Sequence, residues 1–371
     1  MLAASEEVNK IHDLLSATYA QRGHRFAVGQ ATRRSYQSSF WYGYAGDALL
    51  FADAFHVFGE SRYATWARGL LTLAWKDASS NPQPGLLTGV DGILWAGCRL
   101  AELGLEVLSL DDIARVSAQL DPASPDFGDG EAGRILVLLR LFRLTQHTEY
   151  LERASDLADG LEARQPPELV AGMRERYVGF AHGLSGIGYS ASQLACFVHG
   201  VEQLAISMLQ RTLAATQLDG SAGKYWPVFE RSDSSASLPY WCHGTAGIVL
   251  SLLHPPACCD LPAYSEIRKA VGAAVSILIE SAAIETSPGF CHGRAGIIET
   301  LLEMATTMPV DGLDELEERT LNSVATAASR GVVWAGRQEP LPIDFANGAS
   351  GLLHALLRAI DPTVPLIRPA A

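Results

Sequence analysis

A short glycine motif recurs seven times along this chain and constrains the fold more than any other feature of the sequence. Each copy is a Gly-x-x-Gly step followed at once by an apolar run, as in GTAGIVLSLL from 244 and GRAGIIETLL from 293. The first glycines of the seven copies are Gly43, Gly89, Gly130, Gly183, Gly244, Gly293 and Gly348. Every interval between them has room for a pair of helices. The sequence therefore predicts a repeat protein with seven equivalent units.

Two kinds of helical segment alternate between the glycine steps. The runs after the glycines are apolar nearly all round, whereas the intervening stretches, such as DELEERTLNSVATAASR from 314, carry their polar residues on one face. Convincing strand alternation is absent from the sequence. We therefore predict an all-α fold, an α/α toroid in which seven outer helices enclose seven inner helices.

An open solenoid is the competing arrangement of the same helices. It would expose one face of the apolar helices to water, at a cost of about 25 cal/mol per Å2. The glycines fit a crowded ring, because a missing Cβ permits a positive φ and lets helix ends approach closely. We therefore expect both features at the glycine steps.

The composition is that of a folded chain with a large core. Of the 371 residues, 48% are hydrophobic and 19% are charged, and with the repeats this favours a single domain over 1–371. The net charge of -13 argues against nonspecific binding to nucleic acid or to an anionic membrane surface. A cationic or neutral partner is easier to accommodate.

The N-terminal segment and the cysteines bear on the compartment. Residues 1–20 include acidic side chains where a signal peptide needs a basic start, and no segment offers about 18 uncharged apolar residues. We therefore expect a cytoplasmic protein without a membrane span. The six cysteines argue against a disulfide framework and allow metal-binding or catalytic thiols.

In equivalent repeats, the position of a residue in the sequence sets its height in the ring. Cys242 and Cys291 both lie two residues before the first glycine of adjacent repeats, and His292 follows directly. We expect these two thiols and the imidazole to converge, a donor set that suits Zn2+ and leaves a fourth position open for catalysis. Alternatively, both cysteines are small buried hydrophobes. Redox chemistry is disfavoured because the chain has no Cys-x-x-Cys, and Cys258 and Cys259 lie off this register and are expected to be structural.

Further polar residues lie at the same end of the ring. His182 and His243 come one residue before their first glycines, and Asp126 and Asp344 come four before theirs. His182 is a candidate general acid or base, although a loop or capping role stays open. Asp126 and Asp344 are alternatively turn or N-capping residues. Arg294 either steadies developing negative charge or is an exposed rim residue, and we expect the latter.

The segments AHGLSG, WCHGTAG and CHGRAG, set within seven Gly-x-x-Gly repeats, resemble the LanC-like lanthionine cyclases over essentially the whole chain. The resemblance implies an α/α toroid that holds one zinc ion and closes thioether rings in a dehydrated ribosomal precursor peptide. By the motif match, Cys242, Cys291 and His292 look like the zinc ligands. His182 looks like the catalytic histidine of the family, and Asp126 looks like its catalytic aspartate.

Two positions depart from the pattern of stand-alone class I cyclases. Those proteins typically have an arginine four residues before the first zinc cysteine and a tyrosine directly after it, where this chain has Leu238 and His243. We expect His182, positioned by Asp126, to donate a proton after thiolate addition, and His243 to share this role. The Trp-Cys-His-Gly form is more similar to cyclase domains of fused class II or class IV synthetases. The chain has no kinase or lyase motif, so we expect an excised cyclase domain or a free-standing variant.

The resemblance predicts a zinc-dependent enzyme that adds cysteine thiolates to dehydroalanine or dehydrobutyrine. Its expected partners are a dehydrated precursor peptide, with leader and core, and a kinase or lyase dehydratase that is either separate or fused. Three alternatives stay open: a LanC-like protein that adds glutathione or another small thiol, a peptide-binding scaffold with a structural zinc, and a protein prenyltransferase. A carboxylate among the zinc ligands would favour the prenyltransferase, and a fourth protein ligand would favour the scaffold.

Overall fold

The computed structural model describes residues 5–28, 37–122, 124–163, 177–215, 217–218, 224–230, 238–253, 264–284, 287–329 and 343–365. Within these residues the chain forms fourteen helices that alternate between an inner and an outer set. The inner helices are α2 (Tyr44–Phe58), α4 (Val90–Glu102), α6 (Glu131–Thr145), α8 (Leu184–Ala195), α10 (Thr245–Leu253), α12 (Arg294–Ala305) and α14 (Ala349–Ile360). The outer helices are α1 (Ser5–Val28), α3 (Ser61–Ala78), α5 (Leu110–Ala118), α7 (Glu149–Ala163), α9 (Glu202–Ala214), α11 (Tyr264–Ile284) and α13 (Leu313–Ser329). A short antiparallel pair, β1 (Gln217–Leu218) and β2 (Lys224–Tyr225), follows α9.

The inner helices form a closed ring. Each inner helix packs against the next one along the chain, and the last of them, α14, packs back against α2. From α2 to α12, each inner helix also packs against the outer helix that follows it, and α1 packs against α13 and α14. The first helix of the chain therefore supplies the outer partner of the seventh repeat. The predicted all-α toroid is confirmed, and the open solenoid is excluded.

Burial follows this division into two rings. On the inner helix α4, every residue from Val90 to Leu100 is buried, whereas the outer helix α5 buries only Ile113, Ala114 and Ser117. A helix enclosed on all sides must be apolar all round, and a covering helix needs only one apolar face. None of the helices in the described ranges combines the length and the apolar character needed to cross a membrane.

Backbone hydrogen bonds join the loops that precede the inner helices. We number loop positions backwards from the first glycine of each repeat, so that position -1 immediately precedes it. At six of the seven steps, the N–H at position -2 donates to the carbonyl at position -2 of the next repeat. These bonds run from Trp41 to Leu87 (2.8 Å), Leu87 to Gly128 (2.8 Å), Gly128 to Ala181 (2.8 Å), Ala181 to Cys242 (2.9 Å), Cys291 to Ala346 (2.7 Å), and Ala346 to Trp41 (2.9 Å). Equal loop positions therefore lie at equal height.

The glycine steps are explained by close packing. The first glycines that cap the inner helices have extended backbones, with φ from -166° at Gly293 to -112° at Gly130, so the expected positive φ is wrong. A Cβ on the second glycine would collide with a carbonyl oxygen of its own loop, as at Gly296 with Phe290. The same collision recurs at the second glycine of all seven repeats. The expected close approach at the helix starts is confirmed.

Buried polar and charged side chains connect the last inner helix, α14, to its two inner neighbours, α12 and α2, and we call these contacts the seam. Arg358 of α14 pairs with two carboxylates of α12, Glu299 at 3.1 Å and Glu303 at 2.9 Å. His354 of α14 lies 3.4 Å from Asp53 of α2 and 3.7 Å from Glu299. All five side chains are at most 4% exposed. The seam is therefore held by paired charges as well as by apolar contact.

Removing the arginine from this seam should destabilise the fold strongly. Arg358→Met keeps most of the apolar stem but leaves Glu299 and Glu303 without their shared cation, which should cost about 3–5 kcal/mol of unfolding free energy. Denaturant unfolding followed by circular dichroism measures this loss. Arg115→Met, which breaks an exposed pair with Asp112, should leave the unfolding free energy unchanged within error. Equal losses in the two variants would contradict the account of the seam.

Candidate metal centre

Two cysteines and one histidine meet at the glycine-loop end of the ring. Cys242 and Cys291 hold position -2 in adjacent repeats, and His292 holds position -1. The Cys242 Sγ lies 3.1 Å from the His292 Nε2, and the three donor atoms all lie within 4.8 Å of one another. Donors on one tetrahedral zinc, with Zn–S near 2.3 Å and Zn–N near 2.0 Å, are roughly 3.5 Å apart. The donor set therefore fits a single ion in both chemistry and spacing.

The ligands in this group distinguish between the alternative functions of the site. A carboxylate ligand would favour a prenyltransferase, and a fourth protein ligand would favour a scaffold with a structural zinc. Within the part of the chain that the structure describes, the group contains these three donors and no carboxylate or fourth protein ligand. Cys242 and Cys291 are 2% and 7% exposed, whereas His292 is exposed. The thiols thus lie on the protected side of the group, and the imidazole lies on the side that is open to solvent.

The two thiols share a hydrogen bond that moves their pKa values in opposite directions. The hydrogen bond from Cys242 lowers the pKa of Cys291, and His292 adds to this effect against the opposing effect of burial. The same hydrogen bond, together with burial, raises the pKa of Cys242. The contact with Cys291 also raises the pKa of His292. One thiol therefore ionises readily, whereas ionising both calls for a cation between them.

His182 at position -1 is paired with Asp126 at position -4 of the preceding repeat. The His182 Nδ1 lies 2.9 Å from one carboxylate oxygen, and the other oxygen accepts the backbone N–H of Asp129 at 2.9 Å. Asp126 is therefore a turn residue and a histidine partner at once. Burial alone would lower the pKa of His182, but the hydrogen bond and charge of Asp126 raise it above its ordinary value. His182 thus keeps its proton to higher pH than an isolated histidine.

His243 lies in the middle of a row of three histidine rings. Its ring centroid is 5.4 Å from that of His182 and 6.5 Å from that of His292. Burial, followed by the charges of these two neighbours, lowers its pKa to about 4. His243 is therefore neutral near pH 7, where it can donate a hydrogen bond but is not a charged acid. Its Nδ1 has no hydrogen-bond partner among the described residues.

Three other positions from the sequence analysis lie at the same loops. Asp344 accepts the backbone N–H of Asn347 at 2.6 Å, which makes it a turn residue. Arg294 is the first residue of α12 and is partly exposed. Leu238 contributes its backbone carbonyl, which accepts the N–H of Thr245 at 2.8 Å. The place of the family arginine is therefore taken by a residue with no side-chain polarity.

The remaining cysteines lie apart from the group. Cys98 is buried within α4, and burial raises the pKa of its thiol to about 12. Cys196 is an exposed cysteine at the end of α8, and its thiol donates to the backbone carbonyl of Ser192 at 3.7 Å. Cys258 and Cys259 lie outside the described residues. Among the described cysteines, Cys242 and Cys291 are thus the pair that shares a site.

Two residues that the sequence analysis missed lie at the same glycine-loop end of the ring, which we call the mouth. Tyr42 and Asp129 hold position -1 in their repeats, the position that His182, His243 and His292 hold in theirs. Burial raises the pKa of Tyr42 to about 12, and the charges of the neighbouring thiols and carboxylates add to the effect. Burial also raises the pKa of Asp129. A search of all seven -1 positions, and not of histidines alone, would have found both.

Aromatic side chains form a layer at position -3, next to the thiols. Neighbouring rings in this layer have centroid distances of 4.6 to 5.4 Å. We call this layer the aromatic floor, and its members are Phe40, Phe127, Phe180, Trp241, Phe290 and Phe345. The floor gives the thiols an apolar wall on one side, where an unpaired charge is costly. It therefore favours a neutral set of metal and ligands over two isolated thiolates.

The chain is similar to known proteins in its sequence family, in its fold and in one local segment. The family described as lanthionine synthetase C-like protein matches residues 35–369. A structure of nisin cyclase has a TM-score of 0.70 with this chain and 16% sequence identity, covering 96% of this chain and 95% of that one. A Danio rerio protein, glutathione S-transferase LANCL1, is 34% identical over 89 residues, which are 24% of this chain and 21% of that protein. The chain thus matches about a fifth of the length of that relative.

These similarities agree with the architecture described above. The family match spans all seven glycine steps and every residue of the candidate site. The likeness to nisin cyclase shows that the two chains share a fold. This chain belongs to the lanthionine synthetase C-like family.

Proposed function

We propose that this chain is a zinc-dependent lanthionine cyclase, which joins cysteine thiols to dehydroalanine or dehydrobutyrine residues of a ribosomal precursor peptide. The observation that carries the proposal is the presence in one mouth of two elements, the Cys242, Cys291 and His292 donors and the His182–Asp126 pair. Adding a thiol across a carbon–carbon double bond needs a thiolate and a proton donor. Membership of the family supports the same activity.

Zinc is the metal that this donor set favours. Two thiolates and a neutral imidazole balance its charge, and sulfur donors select zinc over calcium or magnesium. Three protein donors leave one tetrahedral position for a substrate sulfur. When bound, zinc would hold a substrate thiol as thiolate at neutral pH, below the ordinary thiol pKa of about 8.5.

His182 is the residue to which we assign proton transfer. The substrate sulfur attacks the β-carbon and forms the C–S bond, while the π electrons move to the α-carbon and its carbonyl. His182, which Asp126 favours in the protonated form, then gives its proton to the α-carbon. It regains a proton from the next substrate thiol, so the net reaction adds hydrogen and sulfur across the double bond.

We assign stabilisation of the enolate to neutral donors of the mouth. Tyr42 stays a phenol because its pKa is raised to about 12, and His243 stays a neutral imidazole because its pKa is lowered to about 4. Fixed hydrogen-bond donors stabilise an oxygen that gains charge in the transition state. This assignment gives His243, where class I cyclases have a tyrosine, a role that does not require a charge.

A second candidate function is the addition of a small thiol such as glutathione. It is favoured by the similarity of 89 residues to the Danio rerio protein named glutathione S-transferase LANCL1. The same donors and the same histidine would serve, because the chemistry at sulfur and at the α-carbon is unchanged. The two functions differ in whether the thiol and the double bond belong to one peptide.

We also propose the setting in which this chemistry takes place. Residues 1–371 would act as one domain in the cytoplasm, on a precursor peptide dehydrated by a kinase-type or lyase-type enzyme. The closed ring supports a single domain, because removing a repeat would leave two inner helices without a neighbour. The net charge of -13 supports a peptide partner that is neutral or cationic.

Removing one thiol should remove the metal. Purified wild-type protein is expected to hold one zinc ion per chain, and Cys291→Ala is expected to hold none, because two donors bind zinc far more weakly than three. Inductively coupled plasma mass spectrometry of the dialysed protein measures the number of zinc ions per chain. Cys196→Ala, which removes an exposed cysteine at the end of α8, is the matched control and should keep its zinc. Full zinc content in Cys291→Ala would rule out the assigned ligands.

The pH dependence of thioether formation should follow the titration of His182. The protonated histidine is the donor and Asp126 raises its pKa, so activity is present below that pKa and is lost as the pH rises through it. Asp126→Asn removes the charge and should move this descending limb to lower pH. His182→Ala should lower kcat by about 10²–10⁴-fold.

A pH–rate profile measures both effects. Asp344→Asn is the control, because Asp344 bonds the backbone of its own loop and its loss should leave the limb in place. If the limb of Asp126→Asn coincided with that of wild type, Asp126 would have no part in holding the proton.

Mass spectrometry of a dehydrated peptide that carries a dehydroalanine and a free cysteine tests the activity itself. Ring closure leaves the mass unchanged but consumes the thiol, so later alkylation adds nothing. Glutathione addition raises the mass by one glutathione and leaves the peptide cysteine open to alkylation. We expect loss of the alkylation product at a rate well above that with Cys291→Ala. Rates equal to that control for both reactions would refute both candidate functions.

A further inference from the structure

Position -4 of one repeat lies against position -1 of the next repeat. The pair of Asp126 and His182 is one case, with a carboxylate oxygen 2.9 Å from the imidazole Nδ1. Three glycines at position -4 show the same contact, because a Cβ on any of them would collide with the residue at position -1 of the next repeat. These pairs are Gly85 with Asp129, Gly179 with His243, and Gly289 with Asn347. The contact is therefore a recurring feature of the ring.

Tyr240 holds position -4 in the fifth repeat, and the residue that it faces is the metal donor His292. The two rings pack edge to face, with centroids 5.5 Å apart and an angle of 76° between their planes. This arrangement is favourable for two aromatic rings, because the positive edge of one meets the negative face of the other. Tyr240 therefore lies beside His292 in the same relation as Asp126 lies beside His182.

The backbone around Tyr240 is held in place. The carbonyls of the two residues before it accept N–H groups of α10, and Trp241 after it is 1% exposed in the aromatic floor. The two bonds run from Thr245 to Leu238 at 2.8 Å and from Ala246 to Pro239 at 3.3 Å. The tyrosine itself is partly exposed. Its ring therefore lies at the mouth, on a loop that is anchored on both sides.

His292 is the exposed member of the donor group. Its Nε2 lies 3.1 Å from the Cys242 Sγ, so the ring must keep one orientation to present this nitrogen to the two thiols. A side chain that is open to solvent has rotamer freedom to lose when it is held in this way. In the described part of the chain, the aromatic rings that pack against it are Tyr240 at 5.5 Å and His243 at 6.5 Å between centroids. Tyr240 is thus the nearer restraint on its rotation.

We propose that Tyr240 is a positioning residue of the metal centre, whose ring holds the imidazole of His292 with its Nε2 toward Cys242 and Cys291. The inference rests on the proposed zinc site and adds to it a residue that is neither a ligand nor a proton donor. Outer contacts that orient a ligand raise the affinity for the metal, because less freedom is lost when the metal binds. The rival explanation is that Tyr240 only covers its loop.

Zinc affinity tests whether the tyrosine ring orients the ligand. Tyr240→Leu replaces the ring by an aliphatic side chain and should lower the affinity about 2- to 10-fold, the loss expected for one aromatic contact. Tyr240→Phe keeps the ring without the hydroxyl and should bind zinc as tightly as wild type. Competition with a chromogenic chelator measures all three affinities. Equal affinities of wild type and Tyr240→Leu would overturn the inference.

The cobalt-loaded protein reports on the orientation of His292 independently of activity. Protons of a histidine bound to Co2+ have strongly shifted NMR signals, and the proton on the ring nitrogen away from the metal is among them. This signal should be sharp in wild type and Tyr240→Phe. In Tyr240→Leu it should broaden or vanish, because the ring samples further orientations and its proton exchanges with solvent. A signal that stays sharp in Tyr240→Leu would overturn the inference, whereas a wild-type protein with no shifted histidine signal would overturn the proposed metal centre.

Phe197→Leu is the matched control for removal of an aromatic ring. Phe197 is 39% exposed and packs edge-on against Phe142, with 5.7 Å between centroids. It follows the C-terminal end of α8, whereas the metal donors lie at the N-terminal ends of the inner helices. We expect this variant to keep both the zinc affinity and the cobalt signal of wild type. Equal losses in Phe197→Leu and Tyr240→Leu would refute a specific contact with His292.

A measurement on the unmodified chain applies even if Tyr240→Leu does not fold. In zinc-loaded protein with isotope-labelled tyrosine and histidine, the ring protons of Tyr240 and His292 should show a nuclear Overhauser effect, because the ring centroids are 5.5 Å apart. The signals of Tyr240 are those that are absent from Tyr240→Phe. Zinc-loaded protein in which these signals show no such effect to any histidine ring would refute the inference.

Discussion

The backbone hydrogen bonds between position -2 of successive repeats are the constraint on which the rest of the structure depends. They join the loops at six of the seven steps of a closed ring of inner helices. Since each bond links the same loop position in neighbouring repeats, every side chain at that position is held at one height. The second glycines allow the loops to approach this closely, because a Cβ there would collide with a loop carbonyl. The ring therefore places residues with the same loop position in one layer, and successive loop positions in successive layers.

Each of these layers has its own chemistry. Position -3 provides the aromatic floor, position -2 provides the two thiols, and position -1 provides histidines, a tyrosine and a carboxylate. A thiolate beside an apolar wall needs a compensating charge, and the same wall keeps a bound sulfur from full solvation. His182, which we propose as the proton donor, lies one layer further out and is paired with Asp126. The layers therefore separate the metal-binding thiols from this histidine, while the ring holds both at one end of the protein.

The meeting of Cys242, Cys291 and His292 could be predicted because the glycine spacing alone sets their height. The all-α toroid could be predicted because helices that are apolar all round must be shielded from water on every side, and the amphipathic helices supply the outer layer. Contacts that depend on side-chain length and rotamer could not be predicted, such as the bond from Asp126 to His182. The charge pairs at the seam also depend on which helices become neighbours when the ring closes. The expected positive φ failed because the glycines are needed for space and not for a left-handed backbone.

X-ray absorption at the zinc edge tests the central claim most directly, because it counts the atoms around the ion. A ring that brings two position -2 thiols and one position -1 imidazole to a single metal predicts two sulfur neighbours at about 2.3 Å and one imidazole nitrogen at about 2.0 Å. A fourth, light neighbour from solvent should be replaced by a third sulfur when a cysteine-containing peptide is added. Zinc surrounded only by nitrogen and oxygen, before and after the peptide, would contradict the account.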